Sequence, residues 1–152
     1  MSRESGLAFA ALRNAARLAA VQALYQMEIS GRGAVAVLRD FLDHPLIEDG
    51  APEPEIDVDH LRALVEGVVE HQAQIDAAIG EVLAEGWRLD RLDATARAIL
   101  RAGAREILTR RDIPAPAAID AYVEIAHAFF DGPEPGFVNA ALDALAKRRG
   151  EG

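Results

Sequence analysis

Cysteine is absent from the 152 residues, which removes disulfides, thiol nucleophiles and every Cys-ligated zinc or iron-sulfur site at once. Serine occurs only as Ser2, Ser5 and Ser30, and none stands in the context of a nucleophile elbow. Glycine-rich phosphate loops are missing, since the glycines fall where helices would end. No run of roughly 18 uncharged apolar residues exists, which excludes a membrane-spanning helix. Arg13, Asn14 and Arg17 interrupt the N-terminal apolar segment that a signal peptide requires. A cytoplasmic protein without cofactor or metal is expected. Lysine is nearly absent too: Lys147 stands alone beside 15 arginines. With 25 acidic residues and a formal net charge of -9, the chain does not coat nucleic acid through bulk charge. A local arginine site stays compatible with RNA or an acidic partner, because the planar guanidinium suits bidentate contacts.

What is present is helical periodicity. Apolar residues make up 51% of the chain and aromatic ones only 5%, with Ala, Leu, Val and Ile recurring at i, i+3, i+4. The spacing predicts about seven helices. The first runs from Leu7 to Met27 and stops at Ser30, Gly31 and Gly33; a short second one covers Ala34 to Phe41. From Asp40 to Asp59 no Lys or Arg occurs, and Pro45, Pro52 and Pro54 predict a solvated acidic loop over residues 43–57. Asp57 or Asp59 caps a third helix with Leu61, Leu64, Val65 and Val68 inside, and Gln74 to Leu83 forms a fourth. Trp87 and Leu89 are expected to plug the next connection. Asp93 caps a fifth helix with Ile99, Leu100, Gly103 and Ile107 inside and Arg110 and Arg111 against its C-terminal dipole. A sixth helix starts near Pro116 and buries Ile119, Val123, Ala126 and Phe130; DGPEPG breaks it, and Phe137 to Lys147 forms the last. The architecture expected is all-α, two packed antiparallel three-helix bundles in a single domain, with subdomains of about 1–72 and 73–152.

In the first helix, Leu12, Ala16, Ala19, Ala20, Ala23 and Met27 form one apolar stripe, and Leu18, Val21 and Tyr25 a second. A helix apolar on two sides is expected at the centre of its bundle. Arg13 and Arg17 fall at the border of the first stripe, where their stems can lie on apolar surface with the guanidiniums in solvent. Arg97, Arg101 and Arg105 follow one another at i+4, a basic stripe that reads either as a solvated face or as a partner-binding one. Glu124 and His127 have the E-x-x-H spacing of di-iron bundles, but the only near match for the second half is Asp57 with His60, so a surface pair is the better reading.

The motifs AARLAAVQALYQMEISG, WRLDRLD, RAILRAGAREIL, RRDIP and FVNAALDALAKR, in this order, resemble the NusB family of transcription antitermination factors, its alphaproteobacterial branch in particular. The resemblance covers nearly the whole chain apart from the acidic 43–57 region. It implies an all-α fold and a non-catalytic function. Family members pair with NusE, a small-subunit ribosomal protein, bind boxA of nascent ribosomal RNA and keep the RNA polymerase elongation complex moving. They occur as monomers or homodimers. The family's N-terminal arginine-rich RNA-binding motif falls on Arg13 and Arg17. The RNA-contact set expected is Arg13, Arg17, Tyr25, Phe137 and Asn139, with Phe137 to stack on a base and Asn139 to hydrogen-bond one. Asn14 and Ala15 stand where arginines are frequent, Leu18 where an acid is usual, and Gly136 where a basic residue precedes FVN. Each missing phosphate contact flattens the salt dependence by about 0.7 for single strands, so weak intrinsic affinity is expected, with NusE supplying positive surface. The competing reading is a divergent interaction module that has lost boxA binding.

Overall fold

The computed structural model describes residues 3–43 and 56–150, with side chains described over 9–43 and 56–149. Most of the predicted acidic loop thus lies outside the described residues. Seven α-helices occur among them: α1 (Arg3–Ser30), α2 (Ala34–Asp43), α3 (Val58–Glu70), α4 (Gln72–Val82), α5 (Ala94–Thr109), α6 (Ala115–Phe129) and α7 (Glu134–Gly150). A single 3-10 turn, Leu89–Arg91, lies between α4 and α5. No helix among the described residues is long and apolar enough to cross a membrane.

The helix boundaries follow local chemistry. Gly31 ends α1 with φ 74°, a left-handed backbone that costs glycine nothing, and its N–H closes on the Met27 carbonyl at 2.9 Å. Asp57 caps α3 by accepting the His60 N–H at 3.0 Å, and Asp93 caps α5 by accepting that of Thr95 at 2.8 Å. At the other end of α5, Arg149 reaches across from α7 and donates from Nη1 to the Ile107 carbonyl at 2.8 Å. Arg110, expected there as the dipole's counter-charge, turns instead to Asp112 and His60. DGPEPG does not exclude helix, because α7 already begins at Glu134, where Pro135 fits a first turn that needs no N–H.

Helices α1, α2 and α3 pack on one another, as do α5, α6 and α7, while α4 lies on α5 and α7. The joint between the groups is chiefly α1 against α5. One continuous core runs through both, with Leu61, Leu64, Ile99, Leu100, Leu142 and Leu145 almost fully buried. Burying each such side chain is worth about 1.5–3 kcal/mol. Helices α5 and α7 approach closely at Gly103, where a Cβ would lie 2.9 Å from Leu142 Cδ1.

Three expected faces differ. On α6 the buried face centres on Tyr122 and Ile125 rather than Val123 and Phe130, because Tyr122 turns inward towards a polar group on α5. On α1 the first stripe is buried at Ala16, Ala19, Ala20 and Ala23, but of the second only Val21 is. Leu18 and Tyr25 are 38% and 40% exposed, so α1 is not enclosed on all sides. Trp87 does not plug its connection either; it remains 41% exposed.

Candidate nucleic-acid interface

The sequence places a positive charge, Arg17, one residue after Ala16 and three before Ala20 on a helix whose inner face is alanine. Its guanidinium is not in solvent. Arg17 is 3% exposed, and its Nε donates to Glu106 Oε1 at 2.9 Å and to Oε2 at 3.1 Å. Nη2 adds a further bond to Oε2, and Nη1 donates to Asn14 Oδ1 at 2.6 Å. Glu106 stands at an inward position of α5 beside Gly103 and Ile107, and its Oε1 also accepts the Tyr122 hydroxyl at 2.9 Å.

His60, buried on α3, completes the group with Nε2 3.1 Å from the same Oε1. Its Nδ1 lies 3.2 Å from Arg110 Nη1. A guanidinium can only donate, so Nδ1 is the acceptor and Nε2 carries the proton that is given to Glu106. Helices α1, α3, α5 and α6 therefore meet on one carboxylate. Burial alone would raise the Glu106 carboxyl, but the hydrogen bonds from His60 and Arg17, with the Arg17 charge, outweigh it and hold the group at about 2. Tyr122 shifts the other way: burial, and then the adjacent carboxylate, push its hydroxyl well above the usual value. Arg17 is a core cation whose charge is spent on Glu106, which corrects the expectation of a solvent-facing guanidinium.

Arg13, one turn earlier, is half-buried, and its Nε has no hydrogen-bond partner among the described residues. It stands on the side of Asp112, whose carboxyl is held low first by hydrogen bonds from Arg110 and also by the Arg13 charge. The i+4 arginines of α5 are occupied as well. Arg97 bonds Glu28 of α1 at 2.8 Å and the carbonyls of Leu89 and Leu92, and Arg101 makes a two-point pair with Asp76 of α4 at 2.8 and 2.9 Å. Arg105 lies over Gly67 of α3, filling the space a Cβ would take. The stripe clasps three neighbouring helices; it is not the solvated face that i+4 spacing alone suggested.

The remaining expected residues gather at the opposite end of the molecule. The pairs Arg17–Glu106 and Glu28–Arg97 show that α1 runs antiparallel to α5, so the end of α1 lies beside the start of α5. The short α6–α7 link brings the end of α6 and the start of α7 to that same end. There Tyr25 lines a groove of about 380 Å³ with Gln22, Gln26, Phe41, Thr95 and Phe129. Its volume sits at the small end of ligand clefts, about 300–1,000 Å³, and it offers aromatic walls with amide and hydroxyl groups between them. Phe137, half-buried, packs on Trp87 with ring centroids 4.5 Å apart, and Asn139 is exposed. Tyr25 lies three turns, about 18 Å, from Arg13 along α1. The five expected residues thus form one cationic and one aromatic locus, not a single cluster.

Sequence reasoning missed Glu106, His60 and Tyr122, and the groove residues Gln22, Phe41, Thr95 and Phe129. Glu124 and His127 both lie on the surface, and among the described residues no three His, Asp or Glu side chains gather as a metal ion would require.

The model of the NusB family matches residues 14–147. The transcription antitermination protein NusB of Maricaulis maris is 58% identical over 140 residues, covering 91% of this chain and 88% of that one. The structure of T. maritima NusB superposes with a TM-score of 0.75 at 32% identity, over 89% of this chain and 90% of that one. A structure of antitermination factors NusB and NusE in complex with dsRNA shares the fold, with a TM-score of 0.74 at 22% identity over 89% and 96% of the two chains.

Proposed function

The chain belongs to the NusB family, and from that premise we propose that it is a non-catalytic, cytoplasmic transcription antitermination factor that pairs with NusE and binds boxA of nascent ribosomal RNA. The observation that carries this reading is the 58% identity, over nearly the whole chain, to a protein named as a transcription antitermination protein. The fold shared with a NusB–NusE complex holding dsRNA is consistent with it.

On this reading the work is divided unequally. The aromatic groove of Tyr25 and Phe129, with Gln22, Gln26 and Thr95 as hydrogen-bonding edges, suits an unpaired base, which single-stranded RNA readers stack and read at its edge. Phe137 and Asn139 extend this end along α7. Of Arg13 and Arg17, Arg13 is the one left to meet phosphate towards the far end of α1, while Arg17 acts indirectly by fixing that helix on α5. With Arg17 turned into the core, fewer N-terminal cations face phosphate, the chain's own contribution to the salt dependence is small, and NusE supplies the rest.

The test is binding of boxA RNA and of a scrambled RNA of equal length to the chain, alone and with NusE, over a salt series. The expected result is preference for boxA that strengthens when NusE is added. If the mixture binds both RNAs equally, the antitermination reading loses its mechanism and the chain is an interaction module only.

A further inference from the structure

The chain's only tryptophan sits in the link between α4 and α5, 41% exposed, although a core could shelter it. One side of its indole is fixed by Phe137, at 4.5 Å between centroids and 31° between planes. Beside Phe137, Gly136 leaves open space, with nothing within 4 Å of where a Cβ would be. The link's charges are mostly settled internally: Arg88 bonds Asp90 at 3.2 Å, and Asp93 is occupied as the cap of α5. Arg91 is exposed, and its guanidinium has no hydrogen-bond or ion-pair partner among the described residues. A large, half-uncovered ring held by a second aromatic, with a free guanidinium four residues on, has the makings of a stacking platform.

We propose that Trp87, backed by Phe137, stacks an unpaired base of bound RNA, with Arg91 at the adjoining phosphate. This rests on the RNA-binding reading above and extends it to a residue outside the groove. The location favours RNA over a protein occupant, since the platform lies at the same end of the molecule as the Tyr25 groove and the same link carries an uncommitted guanidinium. Stacking is insensitive to base identity and to salt, whereas a phosphate contact is salt-dependent. The two residues therefore leave different signatures.

The experiment titrates single-stranded boxA RNA into the full chain with NusE, following the polarisation of labelled RNA and the tryptophan emission together. A mixture containing Trp87→Phe serves as the blank for emission from NusE. The expected result is quenching of Trp87 that follows the polarisation curve. Trp87→Ala lowers RNA affinity by about tenfold at every salt concentration, Trp87→Phe restores most of it, and Arg91→Ala reduces the salt slope. RNA that binds while Trp87 emission stays unchanged overturns the platform and leaves the antitermination reading standing. Emission that changes on adding NusE but not RNA also overturns it, by giving the surface to the protein partner. If the wild-type mixture binds no RNA at all, the broader reading falls and takes this one with it. Because emission is read in the unsubstituted chain, a Trp87→Ala variant that fails to fold does not decide the matter.

Discussion

The Arg17 guanidinium and the Glu106 carboxylate, 89 positions apart in the chain, pair in the core where α1 lies on α5, with side-chain exposures of 4% and 0%. Each is the reason the other can be buried. Removing either alone leaves an uncompensated charge, a cost of about 3–5 kcal/mol in settings of this kind. Arg17→Met and Glu106→Gln should each lower the urea midpoint strongly. The double variant should recover much of the loss, because no charge is stranded and the glutamine oxygen still accepts from Tyr122. A double variant as unstable as the sum of the two would contradict the pairing.

The same carboxylate sets an acid limit. Glu106 falls from an ordinary 4.5 to about 2 in the folded chain, so the unfolded chain takes up its proton first as pH drops. The stability it contributes is complete above the ordinary value and is lost as pH falls towards about 2, a difference on the order of 3 kcal/mol. Unfolding midpoints measured from neutral pH down to this range should converge for wild type and Glu106→Gln. Parallel curves would mean that Glu106 is not held low.

Two glycines should respond in opposite directions to alanine. At Gly103 a Cβ would press on both Leu142 methyls and come within 3.4 Å of Tyr122, so Gly103→Ala should destabilise by about 1–3 kcal/mol despite alanine's better helix propensity. Gly80, exposed on α4 with nothing within 4 Å, should gain about 0.4–1 kcal/mol when replaced by alanine. Thermal unfolding of both variants checks the pair, and equal shifts would contradict the close α5–α7 approach.

The helices were legible because period and caps agree: Asp57 and Asp93 cap where the periodicity starts, and Gly31 stops α1 where it ends. The polar core was less so, since spacing tells which face a residue occupies but not what meets it. Its signal is nonetheless in the sequence. Arg17 lies among the alanines of α1, Glu106 between Gly103 and Ile107, and His60 next to Leu61, each a polar group on an apolar face. Two opposite charges so placed on different helices imply one another. The arginines of α5 misled for the converse reason: i+4 spacing looks the same whether the stripe meets water or, as here, Glu28, Asp76 and the bare surface of Gly67.

On the proposed function, RNA is met at the aromatic end of the molecule and by Arg13, while Arg17 belongs to the core. The deciding comparison is boxA affinity, in the presence of NusE, of the Arg17→Met, Glu106→Gln double variant beside that of Tyr25→Ala. Wild-type affinity and salt slope are predicted for the double variant, and a loss of about tenfold for Tyr25→Ala. A folded double variant that loses boxA, beside a Tyr25→Ala that binds as wild type, would contradict the account.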